Sequence, residues 1–208
     1  MRGIGLGAAA LVLLASASAA FATCEGSAVL FEDRFATLQP TWGEPVDAFK
    51  VEDGVLVVAP EPAAYFWRTN QASLYDDIDM CVAMTTIEGV EPEDSKAGLV
   101  FWYVDDNNYY VFEYAPNGKA SVWRRQRGRW LEQVPWGDVE GAHAGDDLTN
   151  ELRVVTRGER AVFYVNETEF ATFTGVPPND GQQIGFFAAS PDSGMARYGF
   201  DNLKVTRP

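Results

Sequence analysis

The sequence predicts an all-β fold, a jelly-roll sandwich of two antiparallel sheets. Three observations predict it. Beyond the first twenty or so residues, no segment sustains an apolar stripe of helical period. About twelve to fourteen strand-length runs, rich in β-branched and aromatic residues, are bounded by turn formers at nearly regular spacing. Asp53-Gly54 and Asn117-Gly118 each sit between two such runs, and these dipeptides favour the tight turns of β-hairpins. Strands alternating with helices, as a βαβ fold requires, do not occur.

The chain opens with Met1-Arg2, an apolar and small-residue stretch over 4–20, and Ala20-Phe21-Ala22, an A-x-A cleavage site. Positions 1–22 therefore read as an export leader, leaving one domain over 23–208 in the periplasm or outside the cell. An uncleaved anchor and a lipid on Cys24 are the alternatives. The apolar stretch is short for a membrane span, and Thr23 is not the usual small residue before a lipidated cysteine.

A first strand over 29–31 runs into the polar turn Glu32-Asp33-Arg34-Phe35. Trp42 follows in an irregular stretch and is expected to plug one end of the core. Segments 49–52 and 55–59 form a hairpin around Asp53-Gly54, which Pro60 ends. Two further runs cover 65–68 and 78–87. The central meander spans 97–132, with strands at 99–104, 109–115 and 120–125. One more strand covers 130–134, and 135–149 reads as a long loop. Segments 151–156 and 161–165 pair across a polar turn, and strands over 169–173, 183–189 and 196–205 complete the chain. Asn166-Glu167-Thr168 matches a glycosylation acceptor pattern but reads as a turn.

The chain has 30 acidic and 16 basic residues, a formal charge of −14. Such a field repels phosphate, which argues against nucleic acid and anionic bilayers as partners, whereas a neutral sugar meets no such penalty. The two cysteines, Cys24 and Cys81, most simply pair in an oxidising compartment. That bond closes a loop of nearly 60 residues, worth about 4 kcal/mol on the chain-entropy model. A single histidine, His143, argues against a zinc site and has no motif partner for catalysis.

Several motifs resemble those of the concanavalin A-like lectin and glucanase superfamily, and within it the laminin-G-like and 3-keto-disaccharide-hydrolase-like branch. Phe31, Asp33, Phe35 and Trp42 resemble its opening strand. Gly98-Leu99-Val100-Phe101 followed by Asn108-Tyr109-Tyr110-Val111-Phe112 resembles its central meander. Leu152-Arg153-Val154 with Val165-Asn166 resembles a later strand pair. Gly185-Phe186-Phe187 with Phe200-Asp201-Asn202-Leu203-Lys204-Val205 resembles its last two strands. The resemblance covers essentially all of 23–208. It implies a sandwich fold that hosts lectins, hydrolases and structural modules alike. The E-x-D-x-x-E strand of the retaining glucanases is absent, and Trp102 stands where the branch often carries arginine.

Strand parity sorts the meander into two faces. Leu99, Phe101, Tyr110 and Phe112 are expected in the core. Trp102, Tyr109 and Glu113 are expected in a ligand groove, where an indole can stack on a pyranose and a carboxylate can accept sugar hydroxyls. Arg124 or Arg125 would pair with Glu113, and Trp123, Trp130 and Trp136 flank the basic run 124–129 as candidate platforms. The groove set is thus Trp102, Tyr109, Glu113, Trp123 and Arg125. Asp33 and Asp201, in the first and last strands, are the candidate ligands of a structural calcium; no other cofactor is implied. The functional expectation is an exported, non-catalytic carbohydrate-binding protein. A glycoside hydrolase-like enzyme and a structural or protein-interaction sandwich are the alternatives.

Overall fold

The computed structural model describes residues 23–208; the expected leader over 1–22 lies outside the described residues. Fourteen strands and one 3₁₀ turn are described. The first strands are β1 (Ala28–Asp33), β2 (Phe49–Glu52), β3 (Val55–Val58), β4 (Tyr65–Thr69) and β5 (Asp79–Glu88). The meander is β6 (Lys96–Asp105), β7 (Asn108–Tyr114), β8 (Lys119–Gln126) and β9 (Arg129–Asp138). The chain closes with β10 (Leu148–Arg157), β11 (Arg160–Val165), β12 (Thr168–Thr174), β13 (Gln183–Ala189) and β14 (Arg197–Arg207). The loop expected over 135–149 is shorter, because β9 continues through Pro135. An edge strand tolerates proline, having no partner for that nitrogen on its free side.

Two antiparallel sheets result. The eight-stranded sheet runs β12-β11-β10-β5-β14-β3-β2, with β1 also pairing β14. The six-stranded sheet runs β4-β13-β6-β7-β8-β9, so β4 and β9 are its edges. Alternate residues of both sheets meet in one core. Leu99, Phe101, Tyr110 and Phe112 lie in it, as parity predicts, with Phe163, Phe186 and Phe200 from other strands. Trp42 is buried at its end, 5.2 Å from the Phe186 ring.

Cys24 and Cys81 form the expected disulfide, with Cα atoms 5.6 Å apart. Beside it, Asp79 is buried and takes two bonds from Arg153, Nε at 2.7 Å and Nη2 at 2.9 Å. The Glu25 backbone N–H also donates to Asp79, at 2.9 Å. The N-terminal segment is thus held by a covalent bond and a buried ion pair at one place.

One expectation fails here. Asp33 faces the core, where its carboxylate accepts from the Phe35 N–H and the Trp42 indole N–H, both at 2.9 Å. Asp201 lies on the outer side of the eight-stranded sheet, bonded to Asn202. Asp33 pairs with the core-facing Leu203, and the register of β14 breaks between Asp201 and Lys204, which turns Asp201 to the other side; the two aspartates do not come together, and no cluster of three metal-ligating side chains occurs among the described residues. Asn166 stands in the β11–β12 turn, as expected, and from there its side chain bonds Gly141, Asn150 and Glu151.

Candidate functional site

The site lies on the outer face of the six-stranded sheet, away from the core. Register pairs Glu113 with Gly98 and Ser121, Val111 with Val100 and Trp123, and Tyr109 with Arg125. Tyr109, Glu113, Trp123 and Arg125 share this face because they occupy odd positions of two unbroken strands. Val100, Tyr109, Val111, Phe187 and Ala189 form a small buried apolar cluster on it, packed against Trp67, Tyr103 and Trp130.

Trp102 does not join them. It is 1% exposed and packs in the main core, 5.2 Å from the Tyr110 ring and 5.9 Å from Phe173. The cause is a β-bulge. The β6–β7 register breaks between Phe101 and Asp105, Trp102 has φ +46°, and its N–H donates to the Gln182 side chain at 2.8 Å. Against β13 the same stretch carries one extra residue, Val100 to Tyr103 opposing Gly185 to Gln183, and that reverses parity, so Phe101 and Trp102 both enter the core and Tyr103 emerges on the outer face. That ring then stands 5.8 Å from Tyr109.

Glu113 contributes to a depression of about 250 Å³, walled by Tyr65, Trp123, Trp130, Trp136 and Phe187, with Lys96 beside it. Its register neighbours Gly98 and Ser121 are small and leave space over the carboxyl. Gly98 must be glycine, since a β-carbon there would collide with the Phe112 carbonyl. Glu113 is 4% exposed, and no hydrogen bond from another described side chain bears on its carboxyl. Burial pushes its carboxyl up to about 7, against the pull of Lys96 toward ordinary values.

The cation facing Glu113 is therefore Lys96, not the expected arginine. Arg124 lies 5.0 Å from the Tyr110 ring, and Arg125 lies 5.3 Å from Trp130 and 5.8 Å from Tyr65. Lys96 stands 5.8 Å from the Trp136 ring, so its stem borders the same wall. Lys96, Tyr65 and Phe187 were missed from sequence because they come from three strands separated along the chain. The one available signal was the Tyr65/Trp67 alternation on a short strand.

The two edges of the sheet meet across this face. Tyr65 of β4 and Trp130 of β9 have ring centroids 5.9 Å apart. Trp130 also stands edge-on to Tyr109 at 5.6 Å and to Phe187 at 5.9 Å. Tyr65, Trp67 and Tyr109 continue the row as near-parallel stacks at 5.7 Å. Larger hollows exist, of about 550 Å³ near Leu74–Asp77 and about 570 Å³ on the outer face of the other sheet. Neither combines a tryptophan wall with a desolvated acid, so chemistry rather than size selects the site.

No protein-family model matches the chain, and no curated protein matches it. Solved structures do. A Bacillus subtilis protein of unknown function with a galectin-like fold superposes with TM-score 0.65 at 12% identity, over 88% of this chain and 97% of that one. The carbohydrate-binding module CBM66 from Bacillus subtilis superposes with TM-score 0.59 at 12% identity, over 73% and 86%. A Bacillus licheniformis beta-glucanase superposes with TM-score 0.60 at 10% identity, over 88% and 100%. The fold is that of the concanavalin A-like sandwiches. Identities this low carry the fold and nothing finer; both binding modules and enzymes use it.

Proposed function

We propose that this protein recognises carbohydrate on the outer face of its six-stranded sheet. The observation that carries the reading is the Glu113 depression, an acid and an ammonium set among Tyr65, Trp123, Trp130 and Trp136. The C–H faces of a pyranose are apolar and stack on such rings, while its hydroxyls bond to the Glu113 carboxyl and Lys96. The leader-like stretch 1–22 and the Cys24–Cys81 bond support an exported, oxidised setting, periplasmic or extracellular. The narrower placement, on the laminin-G-like and 3-keto-disaccharide-hydrolase-like branch, rests on the sequence motifs alone.

The test is a glycan array followed by calorimetry on the best ligand, with wild type beside Trp136→Ala. Loss of the indole wall should weaken binding about tenfold. Absence of any glycan binding by the folded wild type would overturn the proposal.

A second reading, a carbohydrate-processing enzyme, is favoured by Glu113 itself. A carboxyl near 7 is suited to general acid or base work at neutral pH. Glycoside hydrolysis ordinarily uses two carboxyl groups about 5 to 9.5 Å apart, and Glu113 is the sole carboxylate lining the depression. Release of new reducing ends from a polysaccharide, abolished in Glu113→Gln, would move the conclusion to this reading.

A further inference from the structure

Trp130 divides the outer face in two. On one side is the Glu113 depression. On the other, Trp130 meets Tyr109 edge-on, and the Arg125 guanidinium lies 5.3 Å from the indole. Behind this partition two donors have no acceptor. Tyr109 is 1% exposed and its Oη is buried without a hydrogen-bond partner; Arg125 Nε is buried and equally unpartnered. Arg125 makes no ion pair among the described residues. The two residues face each other in register on β7 and β8.

Leaving a buried donor unsatisfied costs on the order of 1–3 kcal/mol. Buried polar groups are nearly always partnered, so two orphans side by side, one on a cationic group, call for an acceptor. We propose that Trp130 is a displaceable partition, and that Tyr109 and Arg125 behind it form a second subsite for the carboxylate of a uronic acid residue in the bound glycan. This rests on the carbohydrate reading above and specifies its ligand.

The chemistry selects a carboxylate over a hydroxyl. One anionic group can accept from both the Tyr109 O–H and the Arg125 Nε–H, and the charge answers a guanidinium that makes no ion pair among the described residues. A sugar ring stacking on Tyr65 replaces the edge contact that Trp130 makes there when the indole swings out. The chain's overall negative charge does not forbid the ligand. Screening limits that field to about 8 Å at physiological salt, and Lys96, Arg125, Arg127 and Arg129 lie on the strands and turn around the groove.

The test compares tetragalacturonate with its carboxyl-reduced, neutral counterpart by isothermal titration calorimetry at pH 7. Wild type should bind the acidic probe at least tenfold more tightly. Tyr109→Phe should remove most of that preference. The same variant should melt about 2–4 °C higher than wild type, because it deletes an orphaned buried hydroxyl, which separates loss of the subsite from misfolding. With 5-fluorotryptophan incorporated, the fluorine resonance assigned by Trp130→Phe should shift with the acidic probe only. Equal affinity for both probes, or an unaltered preference in Tyr109→Phe, would overturn the subsite while leaving the carbohydrate reading standing. Binding of neither probe, nor of any array glycan, would overturn both.

Discussion

Glu113→Gln should make the protein more stable at pH 8 and leave it unchanged at pH 4.5. The carboxyl sits between Gly98 and Ser121 under three tryptophans, with Lys96 the one compensating charge. Its folded-state value is raised from 4.5 to about 7. Below pH 4.5 the group is protonated in both states and contributes no pH dependence. Between these values the unfolded chain releases its proton while the folded chain retains it. The unfolded state then binds fewer protons, so stability falls as pH rises. Above about 7 both states are ionised and the loss is complete. At about 1.4 kcal/mol per unit, the loss comes to roughly 3 kcal/mol. Glutamine is nearly isosteric and carries no charge, so the variant escapes it. The assay is urea unfolding followed by tryptophan emission from pH 4.5 to 8.5. Wild type is subtracted from variant at each pH, which cancels the other titrating groups, Glu151 among them. A difference that grows with pH and levels off above 7 is expected. A difference constant across the range, or a variant weaker at pH 8, would refute the account of a desolvated acid.

Three further outcomes follow from other parts of the molecule. Reducing the Cys24–Cys81 bond, whose cysteines are 57 positions apart, should cost about 4 kcal/mol and lower Tm by roughly 10 °C in scans with and without reductant. Trp102→Ala should destabilise by about 3–5 kcal/mol in chemical denaturation, as for other buried aromatics, yet leave glycan affinity per folded molecule unchanged. Asp79→Ala leaves the Arg153 guanidinium buried without its bidentate partner and should cost about 3–5 kcal/mol by the same measurement, whereas Arg34→Ala, at an exposed pair, should cost under about 1 kcal/mol.

Much of the site's placement was legible because strand parity is a local property. Tyr109, Glu113, Trp123 and Arg125 fall on one face wherever β7 and β8 are continuous, and both are. Trp102 was misplaced because the same rule fails at a bulge. The Gln182 side chain that caps the Trp102 N–H lies 80 positions away, so nothing in the meander itself announces the break. Asp33 was misassigned for a similar reason. Its acidity suggested a cation, but Trp42, nine positions on, delivers an indole N–H to the same carboxylate.

The all-β class, the hairpins at Asp53-Gly54 and Asn117-Gly118, the core face of the meander and the cysteine pair could all be read from the residues in order. These depend on period-two alternation, turn chemistry and a count of two thiols, none of which requires knowing which strands meet. That Lys96 faces Glu113, that Trp102 is core, and that Trp130 crosses to Tyr65 on the opposite edge became visible in the folded chain alone. Those depend on how the six-stranded sheet curls and on which distant side chains its curvature brings together. Curvature is a property of the packed sheet, since it arises from twist and bulges accumulated over strands that the chain visits out of order.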